Sequence, residues 1–185
     1  LSIEERTPLA QMIASGEIPA PDEDLSADQL LAAQDILEAA GFKHYEISNY
    51  AKPGFESKHN SGYWQGAAYL GLGPHASSML YASGGAKRFR FMLHEDLTEF
   101  YKNPQNLTIS NAEVFELGEI QKEDAALALR LFEGLESNRL KALMGEESIA
   151  RFLEFGILEE EQGWIAFSKQ GWLLGNEVFE VVWHS

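Results

Sequence analysis

The hydrophobic period of the chain changes at Gly41. Before it, Leu30, Ala33, Leu37 and Ala40 recur at helical spacing behind Ser26, with Gln29 three residues on as the second half of a capping box. Gly41 then supplies the left-handed stop that ends such a helix. After it, "HYEISNYA" is rich in β-formers and reads as a strand. A helix feeding a strand through one glycine is an α/β unit, so the expected class is α/β, a mixture of strands and helices.

The rest of the chain extends that reading. Residues 1–25, with the prolines and acids of "GEIPAPDEDL", read as a loop. "KPGFES" is a turn, "AYLGLGPHASSMLYA" a second buried extended run, and "GGAKRFRFML" a turn followed by a strand carrying Arg88 and Arg90 in alternation. Near residue 95 the texture becomes helical. "EDLTEFYKN" is a helix ended by Pro104, and Ser110 with Glu113 matches a capping box. Ala128, Leu131, Phe132 and Leu135 line one apolar helix face. Ile149, Phe152 and Leu153 line another, stopped by Gly156. "GILEEEQGWIAFS" reads as two short strands around Gly163, and Ser168 as the cap of a last helix bearing Leu174, Val178, Val181 and Val182. Helix, helix, hairpin, helix is a winged-helix-like order.

Composition narrows the chemistry. The 185 residues, 45% of them hydrophobic, suffice for a core. Nothing resembles a transmembrane span or a signal peptide. There is no cysteine, so disulfides, thiolate-bound zinc and a cysteine-ligated iron–sulfur cluster are excluded within this chain. The same absence fits a cytoplasmic protein. A formal charge of −15, from 29 acids against 14 bases, speaks against a nucleic-acid partner and against a winged-helix regulator, whose recognition helix needs bases. The opening "LSIEERTPLA" reads as mid-domain sequence, and the chain is expected to be a piece of a longer protein.

The residues with chemical potential cluster in "SKHNSGYWQGAAYLGLGPHASSM", residues 57–79. His59 is a possible iron ligand, and Tyr63 and Trp64 suit the face of a flat apolar ligand. The competing reading is structural: Asn60-Ser61-Gly62 is good turn chemistry, and the aromatic pair can plug a sheet end. Gly71 and Gly73 permit close backbone approach, to a ligand or to packed neighbours. Ser77 and Ser78 either face a pocket or end a strand. Glu46, Ser48 and Asn49 interrupt a buried strand. A buried carboxylate needs a partner, so Glu46 reads as a link from strand to following loop or as lining of a barrel mouth. Arg130 reads as a salt bridge between domains or a bidentate propionate ligand. His44, His94 and His184 read as surface residues.

At "YEISNYAKPG" (45–54), "HNSGYW" (59–64) and "YLGLGPHASS" (69–78) the chain resembles the HemW proteins, relatives of the oxygen-independent coproporphyrinogen III oxidases in the radical S-adenosylmethionine superfamily. Weaker likeness flanks these blocks, in "IEERTPLAQMIASGEIPAPDED" and "LALRLFEGL". The resemblance implies the terminal strand–helix units of a partial (β/α) radical-SAM barrel over residues 1–95, then a small winged-helix-like C-terminal domain over 96–185. It implies that HNxxYW is a haem-binding signature. His59 is then the axial ligand, with Asn60, Tyr63, Trp64, Gly71, Gly73 and Ser77 around the cofactor. His75 stands where many relatives carry glycine. The family's CxxxCxxC, which binds a [4Fe–4S] cluster and S-adenosylmethionine, is absent here. No catalytic residue is therefore carried over, and the chain alone is expected to have no catalytic activity. For the intact protein the resemblance implies haem binding and haem trafficking, with oxidative decarboxylation of coproporphyrinogen III as the alternative. The partners implied are haem or porphyrin and the upstream radical-SAM half, with no nucleic acid and no membrane insertion.

Overall fold

A computed structural model describes residues 3–82, 84–93, 97–105 and 108–185. The chain forms two compact units, Leu1–Phe42 and Lys43–Ser185. His94, and the first residues expected to belong to the helix of "EDLTEFYKN", lie outside the described residues.

The first unit is two helices. α1 (Pro8–Ala14) falls where a loop was expected. Thr7 caps it by accepting from the Ala10 amide at 3.2 Å, and Pro8 occupies the first helical position, where its missing N–H costs nothing. α2 (Glu23–Ala39) starts earlier than Ser26. Asp22 caps it, accepting from the Leu25 amide at 2.9 Å, while the Ser26 hydroxyl donates to the Asp22 carbonyl from within the first turn. Gly41 lies at φ +81° and ends the helix as expected.

The second unit holds every β-strand described. β1 (Lys43–Glu46) and β2 (Asn49–Ala51) form an antiparallel hairpin, so "HYEISNYA" is two strands and not one. α3 (Lys58–Trp64) follows. β3 (Ser77–Tyr81), β4 (Lys87–Leu93) and β5 (Ile109–Glu116) make a three-stranded antiparallel sheet, with the short α4 (Leu97–Lys102) between the last two. Residues on both sides of position 96 share this sheet. Only Ser77–Tyr81 of the expected second buried run is strand. Leu70 and Leu72 are exposed, because the segment before β3 is a loop.

α5 (Leu117–Ala128) opens on a capping box made by Glu116 and Glu119. Ser110 and Glu113, which match that box in sequence, are in β5 and paired to β4. A local motif lost here to strand pairing. The helix stops at Ala128, so Leu131, Phe132 and Leu135 do not share its face. Leu131 bridges to Glu46, Phe132 is exposed, and Leu135 begins β6 (Leu135–Glu136). The chain finishes with α6 (Ser137–Met144), α7 (Glu146–Glu154), β7 (Leu158–Glu161), β8 (Trp164–Phe167), a 3₁₀ turn at Gly171–Leu174 and α8 (Gly175–His184). Sheet order is β6-β8-β7, all antiparallel. Gln162 and Gly163 connect β7 to β8 with φ +52° and +85°, the paired left-handed residues of a tight hairpin. Ser168 caps the 3₁₀ turn, accepting from the Gly171 amide at 2.9 Å.

The core sits among α5–α8 and this last hairpin. Leu129, Leu140, Ile149, Ile165, Val178 and Val182 are fully buried there, packed with Leu158 and Phe167. Gly134, at φ +69°, makes that packing possible. A Cβ there would stand 2.0 Å from the Ile165 carbonyl oxygen, so only glycine lets the two backbones meet. The class is mixed α/β with small open sheets. No helix among the described residues is long and apolar enough to cross a membrane.

Candidate functional site

The HNSGYW block is a helix. Ser57 accepts from the Asn60 amide at 3.3 Å and caps α3, and the Ser61 amide donates to the Ser57 carbonyl at 3.0 Å. The expected tight turn over 59–64 is therefore corrected: Asn60, Ser61 and Gly62 are helical, and the reversal comes at Gly66, φ +70°. Once Ser57 supplies the missing acceptor, an Asn-Ser-Gly sequence continues a helical turn as readily as it makes a reverse turn.

Three side chains of α3 face a cleft of about 410 Å³: Asn60, Tyr63 and Trp64. Tyr69, Met79 of β3, Arg90 of β4, and Glu123 and Leu127 of α5 complete the lining. This is within the size range of small-molecule sites, with apolar walls and a few polar groups. The rings form a ladder: His59 meets Tyr63 edge-on at 4.7 Å, and Tyr63 meets Tyr69 edge-on at 4.7 Å. His59 itself is exposed and is not part of the lining. Burial pushes the Tyr69 phenol up, with Tyr63 and Glu123 adding to this and Arg90 opposing it, so Tyr69 presents a proton donor.

Gly71, Gly73 and Ser77 are not part of the lining. Gly71 serves packing: a Cβ there would stand 2.3 Å from the Ser77 carbonyl oxygen, and the Gly71 amide donates to the buried Ser78 hydroxyl at 3.0 Å. Gly73 has open space around its Cα at φ +100°. His75 is exposed at φ +57°, its amide donating to the Leu93 carbonyl at 2.8 Å.

Below the cleft is a charge cluster that sequence reading missed, though the Arg88–Arg90 alternation was its signal. Both arginines face α5 from β4. Arg88 is fully buried, donating to Glu123, Asp124 and the Tyr81 hydroxyl. Arg90 donates to Glu113 at 2.7 Å and to Glu123 at 2.6 Å. Burial pushes the Arg88 guanidinium down, but its hydrogen bonds to Asp124, Glu123 and Tyr81 outweigh this and hold it above the ordinary arginine range.

Two further residues depart from expectation. Arg130 makes no ion pair with any described carboxylate. Its guanidinium carbon lies 5.2 Å from the Trp64 ring centre and 4.9 Å from that of Phe179, and burial pushes its pKa down. His44 is buried, stacked on Tyr50 at 4.4 Å and next to Trp172, because β1 turns it inward opposite Tyr50. His184 is exposed as expected.

No family model matches the chain. A protein of Mycobacterium tuberculosis named heme chaperone HemW is 33% identical over 178 residues, which is 96% of this chain and 44% of that protein. Heme chaperone HemW of Lactococcus lactis is 32% identical over 97% of this chain and 48% of its own length. The chain is homologous to the HemW heme chaperones. It spans about half the length of these HemW relatives, and the whole of the described site falls within the matched share. The fold matches a solved structure of the coproporphyrinogen III oxidase HemN from Escherichia coli, a radical SAM enzyme, with a TM-score of 0.64 over 88% of this chain and 42% of that one. At 15% identity the HemN match speaks to fold alone.

Proposed function

We propose that the cleft beside α3 binds haem and that the protein acts in haem trafficking, as its HemW relatives are named to do. The observation that carries this reading is that Asn60, Tyr63 and Trp64 converge on one cleft with Tyr69 and Met79. Two aromatic rings from successive helical positions, a thioether and a further phenol give the cleft the largely apolar, aromatic lining that a porphyrin favours. Arg90 is the cation of the lining, and its carboxylate partners Glu113 and Glu123 set its charge balance. His59, exposed one turn before Tyr63 and outside the lining, is the residue that would hold the haem iron.

A cysteine-ligated cluster does not fit the donors of this chain, which has no cysteine. The test is titration of the protein at its full natural length with haem, comparing wild type, His59→Ala and Tyr63→Ala. Tyr63→Ala is expected to weaken binding, and His59→Ala to weaken it and shift the Soret band. Unchanged affinity and spectrum in both folded variants would overturn the reading.

A further inference from the structure

Glu46 has a role that its place in a strand does not explain. It closes β1, is 1% exposed, and pairs through an isolated bridge with Leu131. A carboxylate this deep is costly unless hydrogen-bonded, and an apolar side chain of similar size usually serves packing as well or better. Its side-chain partner among the described residues is the indole N–H of Trp64, which donates to Oε2 at 2.7 Å. Oε1 has no partner. The sequence reading, a link to the following loop, is thus replaced by a link to a ring of the cleft wall.

Trp64 is held a second way. The Arg130 guanidinium lies over its ring, and the Arg130 Nε is buried with no hydrogen-bond partner among the described residues. The Arg130 carbonyl accepts from the Ile47 amide at 2.9 Å, so the backbone segments carrying Glu46 and Arg130 lie side by side. An acid and a base sit near each other without pairing, and each engages the same indole. The charge-assisted N–H···O bond acts in the ring plane and sets its rotation. The cation acts on the ring surface and sets its tilt.

We propose that Glu46 is a positioning residue for the cleft: with Arg130 it fixes the Trp64 indole in the orientation that receives a flat aromatic ligand. The proposal rests on the ligand reading of the cleft and deepens it. A wall that is already ordered loses less side-chain freedom on binding, so affinity depends on Glu46 although Glu46 does not line the cleft.

The experiment has two arms. In the first, haem is titrated into wild type, Glu46→Gln and Glu46→Leu. Gln keeps an acceptor for the indole and Leu does not. Glu46→Leu is expected to bind about tenfold more weakly, and Glu46→Gln to stay within about twofold of wild type. In the second, NMR follows solvent exchange of the indole N–H groups of the four tryptophans. The Trp64 signal is expected to exchange slowly in wild type and Glu46→Gln, and quickly in Glu46→Leu. Wild-type haem affinity in folded Glu46→Leu, or unaltered exchange of its Trp64 N–H, overturns the proposal. Should Glu46→Leu not fold, Trp64→Phe takes its place: it keeps a flat ring without the N–H, and wild-type affinity there overturns the proposal equally. A wild-type protein that binds no haem defeats the ligand reading, and the exchange arm still decides whether Glu46 holds the ring.

Discussion

The Tyr81 hydroxyl donates to the Gly66 carbonyl at 2.8 Å and accepts from buried Arg88. Through this pair the end of α3 is fastened to the β3–β4–β5 sheet, and through Arg88 to Glu123 and Asp124 of α5. Three segments that line the cleft thus meet at one small knot. Gly66 sits at its centre, where a side chain would press on the hydrogen-bonded ends of Asp124, Arg88 and Tyr81. Its φ is +70°, and a Cβ would come within 2.9 Å of an Asp124 carboxylate oxygen.

Gly66→Ala is therefore expected to destabilise the fold by more than the roughly 1–2 kcal/mol of left-handed strain alone. Gly54→Ala is the control: Gly54 has φ +87° and nothing within 4 Å, so it carries the backbone strain without the clash. Denaturant unfolding of both variants checks this. Equal losses would remove Gly66 from the knot.

Neighbouring cations in β4 should behave very differently. Arg88→Met takes the buried guanidinium from Glu123 and Asp124, leaving Glu123 with Arg90 alone, and is expected to cost about 3–5 kcal/mol. Lys87→Met breaks a 2.6 Å ion pair with Glu116 in which both side chains are exposed, and is expected to cost less than about 1 kcal/mol. Chemical denaturation midpoints separate the two.

The Tyr69 phenol, pushed up chiefly by burial, predicts an alkaline effect. The folded state keeps this proton at pH values where the unfolded chain has released it. The contribution is fully present below about pH 10 and is lost as pH rises through the raised folded value. Stability of the wild type should fall more steeply above about pH 10 than that of Tyr69→Phe. Parallel stability–pH curves for the two proteins would contradict it.

Leu140 is 0% exposed in the core, and Leu140→Ala is expected to cost about 2–5 kcal/mol through lost contacts and a cavity. Leu72 is 85% exposed, and Leu72→Ala should stay within about 0.5 kcal/mol. Thermal unfolding of the pair checks whether the core lies among α5–α8.

Where one stretch of chain decides its own conformation, the sequence was sufficient. Gln162-Gly163 makes its hairpin because two left-handed residues suit that turn, and α7 ends before Gly156 for the same kind of local reason. The strand with Arg88 and Arg90 and the mixed α/β class were legible on these terms. Tertiary structure decided what depends on distant partners. Ser110 and Glu113 look like a helix start and became strand, because β4 offered a ladder of hydrogen bonds. Asn60-Ser61-Gly62 looks like a turn and became helix, since Ser57 capped it and Trp64 found Glu46 eighteen positions away. Arg130 looks like a salt-bridge residue and came to rest between two aromatic rings. The cleft itself draws on α3, Tyr69, β3, β4 and α5, and no local pattern encodes that convergence: it exists only once long-range packing has overcome the entropy of bringing those segments together.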